Sequence, residues 1–216
     1  MRIRIKICCT SSLHEAQTAT RLGADALGLV GQMPSGPGVI GDDLAGQIAG
    51  LTPPPVATFL LTSETSADGI IAHHRRVNSS AIQLVDAVPA GTYSVVKTAL
   101  PAVKIVQVIH VVGEESLDEA LRAVANGADV LLLDSGNPTL AVKELGGTGR
   151  VHNWAISRQI VAQSRVPVFL AGGLNPQNAR AAIETVQPFG LDICSDVRTN
   201  GQLDESKLAE FMRVIR

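Results

Sequence analysis

Short apolar runs separated by helix-like segments recur along the whole chain. Eight runs are rich in β-branched residues and are continuous rather than strictly alternating, as is typical of parallel strands covered on their outer face. They lie at residues 3–9, 25–30, 55–61, 81–85, 103–109, 129–134, 166–171 and 191–195. The pattern therefore predicts a strand, loop and helix unit that repeats from one end of the chain to the other.

The segments between the strands carry helix signals. Ser12 and Ser116 each stand three residues before a glutamate, which predicts a capping box at both positions. Asn175 is predicted as the N-cap of a later helix, with Pro176 at its first turn. The basic segment 73–76 is predicted to form a solvated face near a helix C-terminus, where positive charge is favoured.

Three stretches, "LGADALGLV", "NGADVLLLD" and "FGLDICSDV", share a Gly-x-Asp entry into a strand. Eight such units in 216 residues predict an α/β fold, a single-domain (β/α)8 TIM barrel over residues 1–216. An open doubly wound sheet is the alternative. The first strand is not followed by the G-x-G-x-x-G loop of dinucleotide-binding sheets, which favours the barrel.

Composition narrows the class of partner. The net charge is −2, no block of like charge stands out, and aromatic residues make up only 3%, so we expect neither nucleic acid nor an anionic membrane surface as a partner. No apolar run approaches the roughly 18 residues that span a bilayer. Three cysteines do not make a disulfide framework, so a reducing, cytoplasmic location is expected.

The ends of the predicted strands carry the residues suited to chemistry, because barrel enzymes place their active site there. Gly172 and Gly173 precede a helix and form a candidate phosphate cradle, although a tight turn alone would also use two glycines. The candidate phosphate loop after the eighth strand contains Cys194 and Ser195. Gly147 lies in a glycine-rich loop that would let the backbone approach a ligand or act as a hinge.

The first strand ends in two adjacent cysteines. Residues of a strand alternate between faces, so Cys8 and Lys6 are predicted to point into the barrel, while Cys9 is predicted to share the outer face with Ile5 and Ile7. Lys6 is thereby a candidate residue for binding the substrate or its phosphate. A thiol beside a lysine ionises more readily, but cysteine is also a common core residue, so both interpretations of Cys8 stay open.

Asp134 ends the sixth strand and carries the carboxylate of the predicted site. It would either cap the loop behind it or act as a general acid, with a pKa raised by apolar surroundings. The residues alone favour neither role.

The motifs "KICC", "LLLDS" followed by "GGTG", "LAGGLNPQN" and "GLDICSDV", in this order, resemble the phosphoribosylanthranilate isomerase family. The resemblance implies an Amadori rearrangement of a phosphosugar in tryptophan biosynthesis. It assigns Cys8 as general base and Asp134 as general acid, implies neither metal nor organic cofactor, and is compatible with a monomer or a homodimer.

Several positions depart from the family pattern. Cys9 replaces the glycine of "KICG", and residues 22–74 contain no arginine where the family has one near Gly38 to hold the substrate carboxylate. After the eighth strand the family has "SSGVE" where this chain has "CSDVR", so Cys194 stands in place of the first serine and Asp196 in place of the glycine. Asp196 would repel phosphate unless it turned outward or paired with Arg198. Two hypotheses follow: an isomerase of the same substrate, with His110 compensating for a lost contact, or a paralogous isomerase or binding protein for a different phosphosugar.

Overall fold

The computed structural model describes residues 2–34, 36–136 and 151–216. Eight parallel strands form a closed barrel in which each strand pairs with its sequence neighbours and the last pairs with the first. They are β1 (Arg4–Ile7), β2 (Ala26–Val30), β3 (Ala57–Thr62), β4 (Ala81–Leu84), β5 (Lys104–His110), β6 (Val130–Asp134), β7 (Val168–Leu170) and β8 (Gly190–Ile193). All eight predicted strands are confirmed, as is the (β/α)8 barrel.

Helices follow the strands and cover the outside of the barrel. They are α1 (Leu13–Arg21), α2 (Asp42–Leu51), α3 (Ala67–Val77), α4 (Thr92–Ala99), α5 (Glu115–Ala125), α6 (Trp154–Gln163), α7 (Ala179–Val186) and α8 (Glu205–Ile215). Within the described ranges, none of them has both the length and the apolar character needed to cross a bilayer.

Two of the three predicted helix starts are wrong. Ser12 does cap α1, since its hydroxyl oxygen accepts a hydrogen bond from the Glu15 backbone N–H. Ser116, by contrast, lies inside α5, and its buried hydroxyl bonds the loop that leads into that helix. Asn175 caps a turn rather than the helix. Its Oδ1 atom accepts hydrogen bonds from the Gln177 and Asn178 backbone N–H groups, and α7 begins only at Ala179.

The histidines of segment 73–76 are not a solvated face. His73 bonds Thr62 at the end of β3 through Nδ1 (2.8 Å) and Asp42 at the start of α2 through Nε2 (3.2 Å). His74 is buried as well, and its Nε2 donates to the Ser79 carbonyl. The two imidazoles therefore connect α3 to the barrel, and only the arginines of the segment face solvent.

The strands sort their side chains into two layers. Ile5 and Ile7 of β1 pack outward with the apolar faces of the helices. A second apolar cluster fills the barrel itself, and it is contributed by Ala26, Val30, Phe59, Leu61, Ala81, Val85, Val106, Val108, Leu132, Phe169 and Ala171. Because the interior is packed with side chains, a ligand has to approach at the strand ends rather than pass through the barrel.

A two-stranded hairpin after β8 was not predicted. It consists of β9 (Arg198–Thr199) and β10 (Gln202–Leu203), joined by Asn200 and Gly201, which both have positive φ (51° and 79°). Asn-Gly is the residue pair that a two-residue hairpin loop of this kind favours. The hairpin matters for the site because it begins with Arg198.

Candidate active site

The chemistry-bearing side chains gather at the C-terminal mouth of the barrel. Cys8 directly follows β1, Asp134 is the last residue of β6, and Asp192 lies in β8 at the register position of Lys6. His110 ends β5 and pairs with Asp134 across the sheet. The closed barrel brings together residues up to 186 positions apart in the chain.

Lys6 and Asp192 form a buried ion pair beneath the mouth. The Lys6 Nζ atom donates to Asp192 Oδ2 at 2.8 Å, and the lysine side chain is completely buried. Its ammonium also lies 5.6 Å from the centroid of the Phe59 ring, within range of a cation–π contact. A fully buried ammonium offers no surface to a phosphate, so the prediction that Lys6 binds substrate phosphate does not fit this position.

Asp192 escaped prediction from the sequence, although a signal was present. It is the one charged residue of the strand Gly190–Ile193, and it faces inward in phase with Lys6 on the neighbouring strand. Burial raises the pKa of Asp192 to about 8, Lys6 opposes the shift, and the negative charges of Cys8 and Asp134 add to it. Two acids, Asp192 and Cys8, therefore compete for one buried cation.

The Cys8 thiol points into the barrel, as predicted. A β carbon placed on Gly28 would lie 2.9 Å from Cys8 Sγ and 3.1 Å from Lys6 Nζ, so both side chains lie over the same glycine. The pKa of Cys8 is lowered to about 6, chiefly by a hydrogen bond from the Cys9 thiol and next by the charge of Lys6, against the opposing effect of burial. At neutral pH the thiol is therefore a thiolate, the form that can accept a proton.

Cys9 does not lie on the outer face, contrary to the prediction. The strand ends at Ile7, and Cys9 has φ 61°, so the alternation of faces stops before it and the side chain turns into the mouth. Its Sγ accepts a hydrogen bond from the Cys194 thiol at 2.7 Å. A β carbon on Gly38 would lie 2.5 Å from the Cys9 Cβ, so the glycine of the loop after β2 leaves room for this cysteine.

Asp134 lies half-buried at the inner end of β6. Its Oδ1 atom accepts a hydrogen bond from the Ser135 backbone N–H at 2.7 Å. The carboxylate therefore caps the loop behind it, which is the structural one of its two predicted roles. Its charge also acts on Asp192 and on His152. His152 is half-buried: burial lowers its pKa to about 4, and its Nε2 contacts the Ser157 hydroxyl at 2.8 Å.

The predicted phosphate loops lie beside this cluster. Gly172 and Gly173 both have positive φ (83° and 59°), a conformation that glycine adopts without strain, and the Gly173 carbonyl accepts from the Asn178 amide. Because α7 starts after Asn178, the glycines do not directly precede the helix as expected. Gly147 lies outside the described residues.

In the loop after β8, Asp196 does not pair with Arg198. Asp196 is exposed and accepts a hydrogen bond from the Ser195 hydroxyl at 3.3 Å. Arg198, its predicted partner, points away: its guanidinium binds the Glu15 carboxylate and donates to the Cys8 and Cys9 carbonyls. Arg198 therefore fixes the backbone that carries the two thiols.

His110, at the end of β5, is the residue that was expected to compensate for a lost substrate contact. It is buried, and its Nε2 donates to the Val85 carbonyl at 3.0 Å, so the neutral ring carries its proton on that nitrogen. The Nδ1 atom has no hydrogen-bond partner among the described residues. Nδ1 is therefore the ring nitrogen left for a contact with a substrate group.

Comparison with known proteins agrees with this architecture. Residues 5–214 match the family model described as N-(5'-phosphoribosyl)anthranilate isomerase. A relative of that name from Methanocella arvoryzae is 33% identical over 214 residues, covering 99% of this chain and 98% of its own. One from Methanosarcina mazei is 34% identical, covering 97% of this chain and 92% of its own.

Solved structures give the same answer. The phosphoribosylanthranilate isomerase of Thermotoga maritima superposes with a TM-score of 0.82 at 27% identity, covering 99% of this chain and 98% of its own. The enzyme of Pyrococcus furiosus also superposes with a TM-score of 0.82 and the same coverage. At 24% identity this second match supports the fold alone. With the sequence match over nearly the whole length, these findings place the chain in the N-(5'-phosphoribosyl)anthranilate isomerase family.

Proposed function

We propose that this chain catalyses the Amadori rearrangement of N-(5'-phosphoribosyl)anthranilate, an aminoaldose, to the corresponding aminoketose. The observation that carries the proposal is the Cys8 sulfur beside the buried Lys6 ammonium at the end of β1, with Asp134 at the end of β6 in the same mouth. The names of the relatives support it, and so does a solved family member in complex with the reduced product analogue, at 25% identity.

The first step opens the sugar ring. Asp134 in its acid form donates a proton to the ring oxygen as the C1–O bond breaks, and the lone pair of the anthranilate nitrogen forms the C1=N bond. Asp134 suits this role by its position, because it ends β6 at the barrel mouth and its side chain stays partly accessible there.

The second step moves a proton away from C2. The Cys8 thiolate takes this proton, the C2–H electrons form a C1=C2 bond, and the C1=N electrons return to nitrogen. The resulting enol then becomes the ketone as its hydroxyl loses a proton and C1 gains one. A thiol with a pKa of about 6 is suited to this exchange near neutral pH, because it both accepts and returns a proton readily.

Lys6 and Asp192 act on the reaction through Cys8. While Cys8 is a thiolate, Lys6 balances its charge, and Asp192 tends to hold a proton. Once Cys8 has taken the substrate proton, Lys6 still has Asp192 at 2.8 Å as a counter-ion, so the buried ammonium is paired in both states. We therefore assign Lys6 and Asp192 as positioning residues.

For the phosphate, we propose the loop of Gly172 and Gly173 together with Ser195 beyond β8. Two adjacent glycines with left-handed backbone let main-chain N–H groups approach an anion without side-chain obstruction. The exposed carboxylate of Asp196 lies at the rim, so it weakens phosphate affinity by simple repulsion.

The test is the fluorescence decay of freshly made phosphoribosylanthranilate, measured for the wild type and for Cys8→Ala and Asp134→Asn. We expect turnover by the wild type and a loss of at least about a thousandfold in both variants. Asp118→Asn, at an exposed position of α5, is the matched control and should keep wild-type activity. Wild-type rates in either site variant would refute the assignment of that residue.

A second candidate, rearrangement of a phosphosugar without the anthranilate carboxylate, is favoured by Gly38. Its φ of 78° and the Cys9 Cβ, 2.5 Å from where a β carbon would stand, exclude an arginine side chain at this position. Absence of phosphoribosylanthranilate turnover by a folded wild type would favour this candidate.

A family member from Thermotoga maritima is described as dimeric. We expect this chain to be a monomer or a homodimer, and sedimentation distinguishes the two states.

A further inference from the structure

Two thiols meet between the loops that follow β1 and β8. Cys194 Sγ lies 2.7 Å from Cys9 Sγ, although 185 positions separate the residues in the chain, and both cysteines are free. A disulfide bond is about 2.05 Å long, so joining the sulfurs requires a movement of well under one ångström. Both cysteines stand where the resembled family has other residues, the glycine of "KICG" and the first serine of "SSGVE".

The backbone on both sides of the contact is fixed. Ile7 and Ile193 are register partners in the barrel, and the Cys8 backbone N–H donates to the Ile193 carbonyl at 2.8 Å. Arg198 holds the other side, with Nη2 at 3.1 Å from the Cys8 carbonyl oxygen and 2.5 Å from that of Cys9. The pairing of the thiols thus follows from the closure of the barrel and does not depend on two mobile loops meeting by chance.

The exposure of the two thiols differs. Cys9 is buried, whereas Cys194 is partly open to solvent. A small oxidant entering the mouth therefore reaches Cys194 first and finds Cys9 directly behind it. This is the arrangement of a reactive thiol with a resolving partner.

We propose that Cys9 and Cys194 form a reversible disulfide on exposure to a peroxide, and that this bond inhibits the enzyme. The inhibition rests on the proposed isomerase function, whereas formation of the bond does not.

The chemistry balances as follows. The Cys194 sulfur attacks one oxygen of hydrogen peroxide, the O–O bond breaks, and the thiol proton passes to the departing hydroxide, which gives a sulfenic acid and one water. The Cys9 sulfur then attacks the Cys194 sulfur, the S–O bond breaks, and the Cys9 thiol proton passes to the neighbouring Cys8 thiolate. The departing hydroxide takes this proton from Cys8 and leaves as the second water. Two thiols are oxidised by one electron each, and one peroxide is reduced.

The bond would act on catalysis through Cys8. A Cys9 sulfur held in a disulfide has no proton to donate, so Cys8 loses the hydrogen bond that contributes most to its acidity. The same bond ties the loop containing Ser195 to the end of β1, next to the proposed phosphate site. We expect oxidised enzyme to lose at least about tenfold in activity near pH 6.5 and dithiothreitol to restore it.

Peptide mapping after hydrogen peroxide treatment tests the bond directly. The wild type should yield a cross-linked pair of peptides containing Cys9 and Cys194 with the loss of two hydrogen atoms. Cys8→Ser should keep the cross-link but form it more slowly, and Cys9→Ser should abolish it. A bond from Cys8 to either other cysteine, or no cross-link while thiols are reversibly consumed, overturns the proposal.

The effect of the disulfide on activity is tested separately. For each protein, the isomerisation rate after peroxide treatment is divided by the rate of the reduced enzyme. We expect a reversible loss in the wild type and a ratio close to one for Cys194→Ser at the same peroxide dose. A mapped disulfide without any change in rate would overturn the inhibition. Should the reduced wild type lack isomerase activity, the proposed function fails, while the peptide map still decides whether the disulfide exists.

Discussion

Replacing Cys9 by glycine should change how the reaction depends on pH while leaving the fold intact. Cys9 has φ 61°, a conformation that costs glycine nothing, and glycine adds no atom to the contact with Gly38. The substitution removes the thiol that donates to Cys8. We therefore expect the pKa of Cys8 to rise and the acid side of the pH–rate profile to move to higher pH.

The magnitude follows from the shift at Cys8. Its pKa lies at about 6, against an ordinary value of 9.0, and the hydrogen bond from Cys9 is the largest single cause of the decrease. If losing it returns about half of the shift, the pKa becomes roughly 7.5. The thiolate fraction at pH 6.5 then falls from about three quarters to about one tenth, a rate loss of roughly eightfold. At pH 9 both proteins are almost fully ionised and the ratio approaches one.

The assay is kcat/KM for phosphoribosylanthranilate between about pH 5 and pH 9, with Cys9→Ala as a second variant that keeps the β carbon. Both should move the acid midpoint by about 1–2 units. Cys194→Ser leaves the Cys9 thiol in place, so its midpoint should move less. An unchanged midpoint, or a rate loss that is equal at every pH, would show that Cys9 does not set the ionisation of Cys8.

Three further predictions concern the surroundings of the site. Gly28→Ala places a β carbon 2.9 Å from the sulfur of the proposed base, Cys8. We expect kcat/KM to fall at least about tenfold and the free energy of unfolding, measured with urea, to fall by about 1–3 kcal/mol. Gly50→Ala, with open space around its β carbon, should not destabilise the protein. Arg198→Met should lower the free energy of unfolding, measured with urea, by about 3–5 kcal/mol because it removes the buried cation that pairs with Glu15. Arg21→Ala breaks an exposed pair with Glu205 and should lower it by under about 1 kcal/mol. Burial lowers the pKa of His73 below 6.5, so the unfolded chain takes up a proton there first; the free energy of unfolding should fall as pH drops below about 6.5, with a smaller slope in His73→Gln.

The barrel was predictable because its strands are buried on both faces and therefore read as apolar runs of strand length. The inward direction of Lys6 and Cys8 followed from the period of two within the strand. The same rule failed one residue later. Cys9 lies beyond the last strand residue, Ile7, and its positive φ reverses the direction of the side chain. Nothing in the alternation of residues marks where a strand gives way to a turn.

The buried polar residues were harder to predict than the apolar ones. His73 and His74 were expected in solvent because they adjoin two arginines, yet both are buried: His73 bonds Asp42, 31 positions away, and His74 bonds the nearby Ser79 carbonyl. Asp192 could have been found as a charge inside an apolar strand, but only closure of the barrel places it against Lys6. The hairpin that begins with Arg198 carried the readable signal Asn-Gly, while the target of its guanidinium depended on three-dimensional contacts.

The departures from the family pattern at Cys9, Gly38 and Cys194 form one connected change. The Cys9 side chain occupies the space that Gly38 leaves empty, so a bulky residue cannot stand at position 38 while position 9 carries a β carbon. Its sulfur in turn contacts Cys194, where a thiol replaces the hydroxyl of the resembled family. Cys9 thus connects the glycine at position 38, the lowered pKa of Cys8 and the proposed disulfide. It follows that restoring an arginine at position 38 alone cannot restore the family contact, because the Cys9 β carbon would still block it.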